Sequence, residues 1–154
     1  MAKEIERKFL VKNNDFKLNA KRVYLHQGYL HIDENKVVRI RVSNDSAWVC
    51  IKSSSNGITR DEYEYTIPKV DAEEMLRDLC IKPTVEKYRY FKEIGNHLWE
   101  VDEFLGDNQG LIVAEIELQS EDEIFERPDW IDKEVSQDKR YFNAYLSKNP
   151  YKHW

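Results

Sequence analysis

The sequence predicts a mainly β protein of the α+β class, an eight-stranded antiparallel closed β-barrel (a tunnel) with a few helices outside or capping one mouth. Eight segments alternate between apolar and charged residues with the period of two that a β-strand imposes. Turn-forming residues separate neighbouring segments, and only two stretches have a helical pattern. A sheet of eight strands must curl or close, and closure removes the unpaired edges that promote aggregation.

The predicted strands are bounded by turn signals along the chain. Asp33-Glu34-Asn35 and Asn44-Asp45 predict hairpin turns, Ser53-Ser54-Ser55-Asn56-Gly57 predicts a longer loop, and Gly95-Asn96 predicts another tight connection. The strands themselves are expected near residues 2–11, 21–32, 36–43, 46–54, 59–67, 84–94, 97–104 and 112–119.

Two helices are predicted from capping and periodicity. The first covers residues 71–80, where Asp71 as the cap and Glu74 three residues later form a capping-box pattern. The second covers residues 136–146 and begins with Ser136 as its cap. We expect the second helix to pack on the outside of the barrel or across one mouth through one apolar face, formed by Tyr141, Phe142, Tyr145 and Leu146.

Like charges fall in pairs on the polar faces of the strands. As a strand, residues 4–9 direct Glu4, Glu6 and Lys8 to one face at intervals of ~6.6 Å, and two carboxylates so spaced can hold a hard divalent cation. The solvated face of a one-sided sheet would instead carry a mixture of Thr, Ser, Gln and Lys. The segregated pairs therefore indicate a functional interior. They recur at Arg39 and Arg41, Glu62 and Glu64, Lys87 and Arg89, Glu100 and Asp102, and Glu115 and Glu117, while Lys52 follows an apolar run.

Composition limits the class of protein. A chain of 154 residues with a hydrophobic fraction of 41% suits one folded domain spanning residues 1–154. The net charge of −5 argues against a nucleic-acid partner bound by phosphate neutralisation over the outer surface. A local basic cluster inside the barrel remains compatible with that charge.

Several classes of site and location are excluded. Cys50 and Cys80 have no CxxC neighbour, and we expect both to be buried free thiols in a reducing cytosol. The four histidines lack zinc-ligand spacing. Apolar runs fall short of the ~18 residues of a membrane span, and Glu4 and Glu6 interrupt any signal-peptide core. A cytoplasmic protein without a membrane partner is predicted.

A charged interior implies a charged ligand. Buried charges are costly unless they are paired, hydrated or bound to a ligand. Convergent lysines and arginines favour a polyanion, and paired acids beside them favour a divalent metal. A polyphosphate with Mg²⁺ or Mn²⁺ satisfies both requirements.

In order along the chain, these residues resemble those of the CYTH proteins, also called triphosphate tunnel metalloenzymes, in their short bacterial single-domain form. One ExExK motif is weak, but seven matching elements in the right order on alternating strands are specific. The resemblance covers nearly the whole chain and implies a tunnel that binds a triphosphate with divalent cations. The matching elements are Glu4-x-Glu6-x-Lys8, Arg39-x-Arg41, Lys52, Glu62-x-Glu64, Lys87-x-Arg89, Asp102 and Glu115-x-Glu117.

The resemblance also implies residue roles. The metal ligands would come from strands that face each other across the tunnel, and are Glu4, Glu6, Glu115 and Glu117. Phosphate oxygens would be bound by Lys8, Arg39, Arg41, Lys52, Lys87 and Arg89. The catalytic candidates Glu62, Glu64 and Asp102 would hold a second metal, orient a water or brace the basic residues, and these alternatives stay open.

The expected reaction is metal-dependent hydrolysis of a phosphoanhydride bond with release of phosphate. Short bacterial members favour inorganic tripolyphosphate, whereas ATP and thiamine triphosphate are alternative substrates. A class IV-type adenylyl cyclase on the same scaffold and a non-catalytic polyphosphate or nucleotide-binding module are the other functions left open. A covalent nucleophile is not expected, because Cys50 and the serines lack an adjacent base. The oligomeric state is also open, a homodimer being one option.

Overall fold

The computed structural model describes residues 3–154, in which nine β-strands and two α-helices form. The eight predicted strands are present, and their ends differ from the expected ones by no more than about two residues; residue 2 lies outside the described part. The strands are β1 (Lys3–Val11), β2 (Lys21–Ile32), β3 (Lys36–Val42), β4 (Ala47–Ser53), β5 (Thr59–Ile67), β6 (Val85–Ile94), β7 (His97–Phe104), β8 (Ile112–Glu117) and β9 (Ile131–Glu134). The helices are α1 (Lys69–Asp78) and α2 (Asn143–Lys148).

The strands form a closed antiparallel ring. Around the barrel the order is β5-β4-β3-β2-β6-β7-β8-β1, and β1 pairs with β5 to close it. The closing contact is short and runs from the pair Lys3↔Asp61 to the pair Ile5↔Thr59. The predicted eight-stranded closed barrel is confirmed.

The ninth strand was not predicted, because its four residues are too few for a periodic signal. It continues the β1 edge beyond β5 through the pairs Phe9↔Glu134 and Val11↔Ile131. Arg7 fixes it by donating to Glu134 from Nε at 2.9 Å and from Nη2 at 2.5 Å. β1 is therefore held on both edges along most of its length.

Helix α1 begins two residues earlier than predicted. The carbonyl of Pro68 accepts the first helical hydrogen bond, from the backbone N–H of Ala72 at 3.1 Å, and no side chain caps the helix. The capping box at Asp71 is therefore wrong; Asp71 lies inside the first turn, where its charge suits the helix dipole. Through Ala72 and Leu76 the helix packs on the outer face of the barrel.

The second predicted helix is largely wrong. Residues 139–141 form a 3₁₀ turn, and the α-helix covers only Asn143–Lys148. Ser136 is not its cap, because the Ser136 hydroxyl accepts the backbone N–H of Lys8 at 2.9 Å and thereby extends the chain beside β1. The short helix α2 instead buries Leu146 completely against the barrel.

Most of the apolar core lies outside the barrel. Phe9 and Trp99 are fully buried on the outer face, with ring centroids 5.5 Å apart. Phe16 and Trp130 cover them from the segments that connect β1 to β2 and β8 to β9. Consequently the inner face around the cavity is left to polar side chains, while a smaller apolar cluster that includes Val85, Phe104 and Leu146 faces inward at one end of the barrel. Cys50 and Cys80 are buried and free, as predicted.

Among the described residues, none of the helices has the length and apolarity needed to cross a membrane.

The Arg7–Glu134 pair makes stability depend on pH. The hydrogen bond from Arg7 holds the pKa of Glu134 below its usual value, with Ser136 assisting and burial opposing. This stabilisation is present above the ordinary carboxyl pKa and is lost as pH falls through the lower folded value. We expect Glu134→Gln to reduce the free energy of unfolding by about 0.5–1 kcal/mol at pH 7 and by much less at pH 3, as measured by urea denaturation.

The control is Asp132→Asn, which removes an exposed acid from the same strand and should leave stability unchanged at both pH values. A deficit of equal size for Glu134→Gln at pH 3 and pH 7 would contradict the role of its charge.

Candidate functional site

The barrel encloses a cavity of about 670 Å³ with a predominantly charged wall. Strand alternation directs every second residue inward, so the sequence-predicted side chains converge there. Two of those predicted, Lys87 and Asp102, are absent from the lining. The predicted residues that do line the cavity are Glu4, Glu6, Lys8, Arg39, Arg41, Lys52, Glu62, Glu64, Arg89, Glu115 and Glu117.

The carboxylates expected to bind metal come from adjacent strands. Glu6 on β1 is the direct cross-strand partner of Glu117 on β8, and Lys8 is the partner of Glu115. The expectation that these strands face each other across the tunnel is therefore wrong. Opposite residues of an antiparallel pair have Cβ atoms only ~5 Å apart, so adjacency brings the acids closer than an arrangement across the cavity would.

Lysines neutralise three of the four acids. Lys8 Nζ lies 2.9 Å from Glu6 Oε1 and 2.8 Å from Glu115 Oε1, while Lys52 Nζ lies 2.9 Å from Glu4 Oε2. Burial opposes the charge of Lys8, but the two glutamates outweigh it and raise its pKa. These pairs offset the cost of burying the charges.

Glu117 is the exception among these acids. Burial, and then the charges of Glu4, Glu6 and Glu62, raise its pKa to about 7. Negative charge is therefore in excess around Glu117. Carboxylate oxygens are the preferred ligands of Mg²⁺ and Mn²⁺, so the donor set and its excess charge fit a hard divalent cation.

Positive charge is in excess on the side of the cavity formed by β3 and β6. Burial, followed by the neighbouring Arg39 and Arg89, lowers the pKa of Arg41 to about 10. The Nε atoms of Arg39 and Arg41 are buried and make no hydrogen bond to the described residues. Glu64 reaches the two guanidinium groups only at 3.6 and 3.3 Å. Crowded cations with unused buried donors fit an anion that offers several oxygens.

Lys87 and Asp102 face inward, as their strand neighbours Arg89 and Glu100 do, but their side chains are 0% and 1% exposed and do not line the cavity. Lys87 Nζ donates to Asp102 Oδ2 at 2.7 Å, and Arg89 donates to the same carboxylate from Nε at 2.8 Å and from Nη2 at 2.9 Å. Burial lowers the pKa of Lys87 to about 8; Asp102 opposes the shift and Arg89 adds to it. Of the three roles left open for Asp102, this geometry favours bracing the basic residues.

Glu62 and Glu64 form a compact group with Cys50. Their carboxylate oxygens and the thiol sulfur all lie within 4.8 Å of one another. Cys50 is opposite Glu64 in the β4–β5 pair and two residues from the inward-facing Lys52, so its buried thiol faces inward without lining the cavity. Since Lys52 and the arginines already contact these acids, a cation could bind there only by displacing those ion pairs.

Other lining residues were missed by the sequence analysis. Arg60 lies 3.5 Å from Glu4 and lines the cavity, which its alternation with Glu62 on β5 could have indicated. Tyr29 similarly lies inward on β2. The C-terminal residues of the lining were not predicted as site residues, although Phe142 and Tyr145 belong to the apolar face that was expected to pack on the outside of the barrel or across one mouth. These lining residues are Lys139, Phe142, Asn143, Ala144, Tyr145, Lys148 and Asn149.

Comparison with known proteins agrees with this architecture. An inorganic triphosphatase of Acetivibrio thermocellus is 51% identical over 154 residues, which are 100% of this chain and 99% of that protein. An inorganic triphosphatase of Nitrosomonas europaea is 39% identical over 149 residues, covering 94% of this chain and 96% of that protein. The crystal structure of the inorganic triphosphatase NE1496 has a TM-score of 0.67 at 36% identity, covering 96% and 95% of the two chains.

A family model supplies the assignment. The model of the CYTH domain matches residues 2–146, a span that includes all eight strands of the barrel and the charged side chains that these strands direct into it. Together with the two relatives, this match shows that the chain belongs to the CYTH domain family.

Proposed function

We propose that the protein is a divalent-metal-dependent hydrolase of triphosphates and that its substrate is inorganic tripolyphosphate. The observation that carries this proposal is the division of charge within one cavity. Excess negative charge surrounds Glu117, whereas Arg39 and Arg41 have excess positive charge and unused hydrogen-bond donors. A metal–polyphosphate complex supplies a cation for the acids and an anion for the arginines. The names of the two triphosphatase relatives support the same reaction.

The size and chemistry of the cavity support a small, highly charged substrate. A volume of about 670 Å³ is within the usual range for small-molecule sites. Tripolyphosphate offers charged oxygens along its whole length, which matches a wall built mainly of lysine, arginine and glutamate side chains.

The proposed metal site comprises Glu4, Glu6, Glu115 and Glu117. When bound there, Mg²⁺ or Mn²⁺ would neutralise phosphoryl charge and lower the pKa of a coordinated water. Lys8 forms ion pairs with Glu6 and Glu115. When a metal binds these acids, the amine of Lys8 can exchange them for a phosphate oxygen of the substrate. The same ion pairs that stabilise the ligand-free barrel would thus be exchanged for contacts with the substrate.

The basic residues have separable roles in this proposal. Arg39, Arg41 and Arg89 line the cavity and can each donate two hydrogen bonds to phosphate oxygens. Lys52 is placed between Glu4 and Glu62 and acts as a point charge. Glu62 and Glu64 have partly exposed carboxylates that can orient a water molecule for attack on a terminal phosphorus.

The test is a phosphate-release panel over tripolyphosphate, ATP and thiamine triphosphate with Mg²⁺ and with Mn²⁺, with cyclic AMP measured in the ATP reaction. We expect the highest kcat/KM for tripolyphosphate. Preferred turnover of another triphosphate would identify that compound as the substrate, and cyclic AMP formation would identify the protein as a cyclase. Binding of tripolyphosphate without turnover of any compound would identify a binding module instead of a hydrolase.

Glu6→Gln should abolish most of the activity. The amide preserves the side-chain volume but removes the charge that a divalent cation needs, so we expect kcat to fall by at least about 100-fold. The control is Glu73→Gln, which removes an exposed acid from α1 on the outer face of the barrel. Activity of Glu6→Gln within about tenfold of the wild type would remove Glu6 from the metal site.

Arg41→Met should separate substrate binding from stability. Loss of the guanidinium should weaken tripolyphosphate binding by about 10- to 100-fold in calorimetry. The melting temperature of the ligand-free protein should stay the same or rise, because repulsion from Arg39 and Arg89 is relieved. Arg22→Met, on the outer face of β2, is the matched control. A lower melting temperature with unchanged affinity would identify Arg41 as part of a structural ion pair.

A further inference from the structure

Asn143 joins the C-terminal segment to the interior of the barrel. It is the first residue of α2 and lines the cavity. Its Oδ1 accepts two hydrogen bonds at 3.0 Å, one from Lys87 Nζ and one from Gln27 Nε2. Both donor side chains are 0% exposed. Two buried donors on one amide oxygen use both of its lone pairs and fix the orientation of the Asn143 side chain.

A continuous chain of hydrogen bonds leads from Asn143 to the cavity. Lys87 contacts Asp102 at 2.7 Å, and Asp102 binds Arg89 through both of its oxygens. The bidentate contact fixes the plane of the guanidinium. Arg89 lines the cavity, and Nη1 also donates to Glu100 at 2.7 Å. The bidentate contact that sets its plane comes from Asp102, whose second cationic partner is Lys87.

The charge balance explains why Lys87 needs Asn143. A buried ammonium group requires acceptors, and its one carboxylate partner, Asp102, is shared with Arg89. The carbonyl oxygen of Asn143 accepts a second N–H of Lys87, so that Asp102 does not have to satisfy Lys87 alone and can hold Arg89 with both of its oxygens.

Helix α2 has other attachments to the barrel. Leu146 is 0% exposed in an apolar cluster with Val85 and Phe104, and Ser147 Oγ donates to the Pro83 carbonyl at 3.2 Å. These contacts hold the helix in place independently of Asn143. The Asn143–Lys87 bond is therefore not required to position the helix.

We propose that Asn143 is a positioning residue of the active site, which holds the amine of Lys87 and thereby fixes the Asp102–Arg89 pair against the substrate. This inference rests on the proposed triphosphate hydrolase function. It gives the C-terminal segment a part in the reaction, although the charged pattern that identifies the barrel ends before it.

The first test compares Asn143→Ala with Ser147→Ala. Each variant removes the hydrogen bonding of one α2 side chain to the barrel, but only the side chain of Asn143 contacts Lys87. We expect Asn143→Ala to lower kcat/KM for tripolyphosphate by at least about tenfold and Ser147→Ala to leave it within about threefold of the wild type. Asn143→Asp, which keeps an acceptor at this position, should recover most of the loss.

Wild-type kcat/KM in Asn143→Ala would overturn the inference, as would an equal loss in Ser147→Ala or no recovery in Asn143→Asp. Wild-type protein that hydrolyses no triphosphate would defeat the proposed function instead. Calorimetric affinity for tripolyphosphate, measured on the same four proteins, then decides the inference, with at least about tenfold weaker binding expected only for Asn143→Ala.

The second test is a double-mutant cycle with Lys87→Met. If Asn143 acts through Lys87, Asn143→Ala should cause no further loss of kcat/KM in the Lys87→Met background. Additive losses would mean that Asn143 contacts the substrate itself, and would overturn the positioning role. Melting temperatures of all variants show whether any loss comes from unfolding.

Discussion

Charge balance inside a closed barrel is the constraint on which the rest of this structure depends. Closure directs alternate residues of eight strands into one cavity, where unpaired charges are costly. Most are neutralised locally, as Lys8 is by Glu6 and Glu115. The balance is incomplete at Glu117, which has too many acidic neighbours, and at Arg41, which has too many basic ones. These two imbalances, rather than the total number of charges, indicate where a cation and an anion would bind.

A polar cavity requires that most of the apolar core be built elsewhere. Phe9 and Trp99 pack on the outside of the barrel, and Phe16 and Trp130 cover them from the connecting segments. α1 covers another part of the outer face through Ala72 and Leu76. The wall is thus supported from outside, which lets its inner side chains be selected for charge rather than for packing.

Local periodicity was sufficient to predict the barrel strands and the inward face of those that carry charge pairs, because period-two alternation is a property of the strand itself. It could not predict which inward-facing side chains line the cavity. Lys87 and Arg89 face inward on the same strand, yet only Arg89 lines the cavity, and Lys87 is fully buried. The second helix was mispredicted because Ser136 bonds to the backbone of Lys8, a contact 128 residues away in sequence that overrides the local capping preference. β9 likewise depends on pairing with β1, and four residues carry no period of their own.

The pairing of β1 has a consequence for the order in which the chain folds. Lys8 and Glu115 are separated by 107 residues, so the loop-closure entropy of bringing β1 to β8 must be overcome late, after shorter-range hairpins have formed. β1 carries Glu4, Glu6 and Lys8, and hence the acidic group cannot assemble in a partly folded chain. A nascent polypeptide that has made every hairpin but not the pairing of β1 with β8 and β5 would hold its arginines together without Glu4, Glu6 and Lys8. The ability to bind a metal and a polyanion therefore appears with the last cooperative step of folding. Local opening of the β1 pairing would abolish binding before the remaining hairpins unfold.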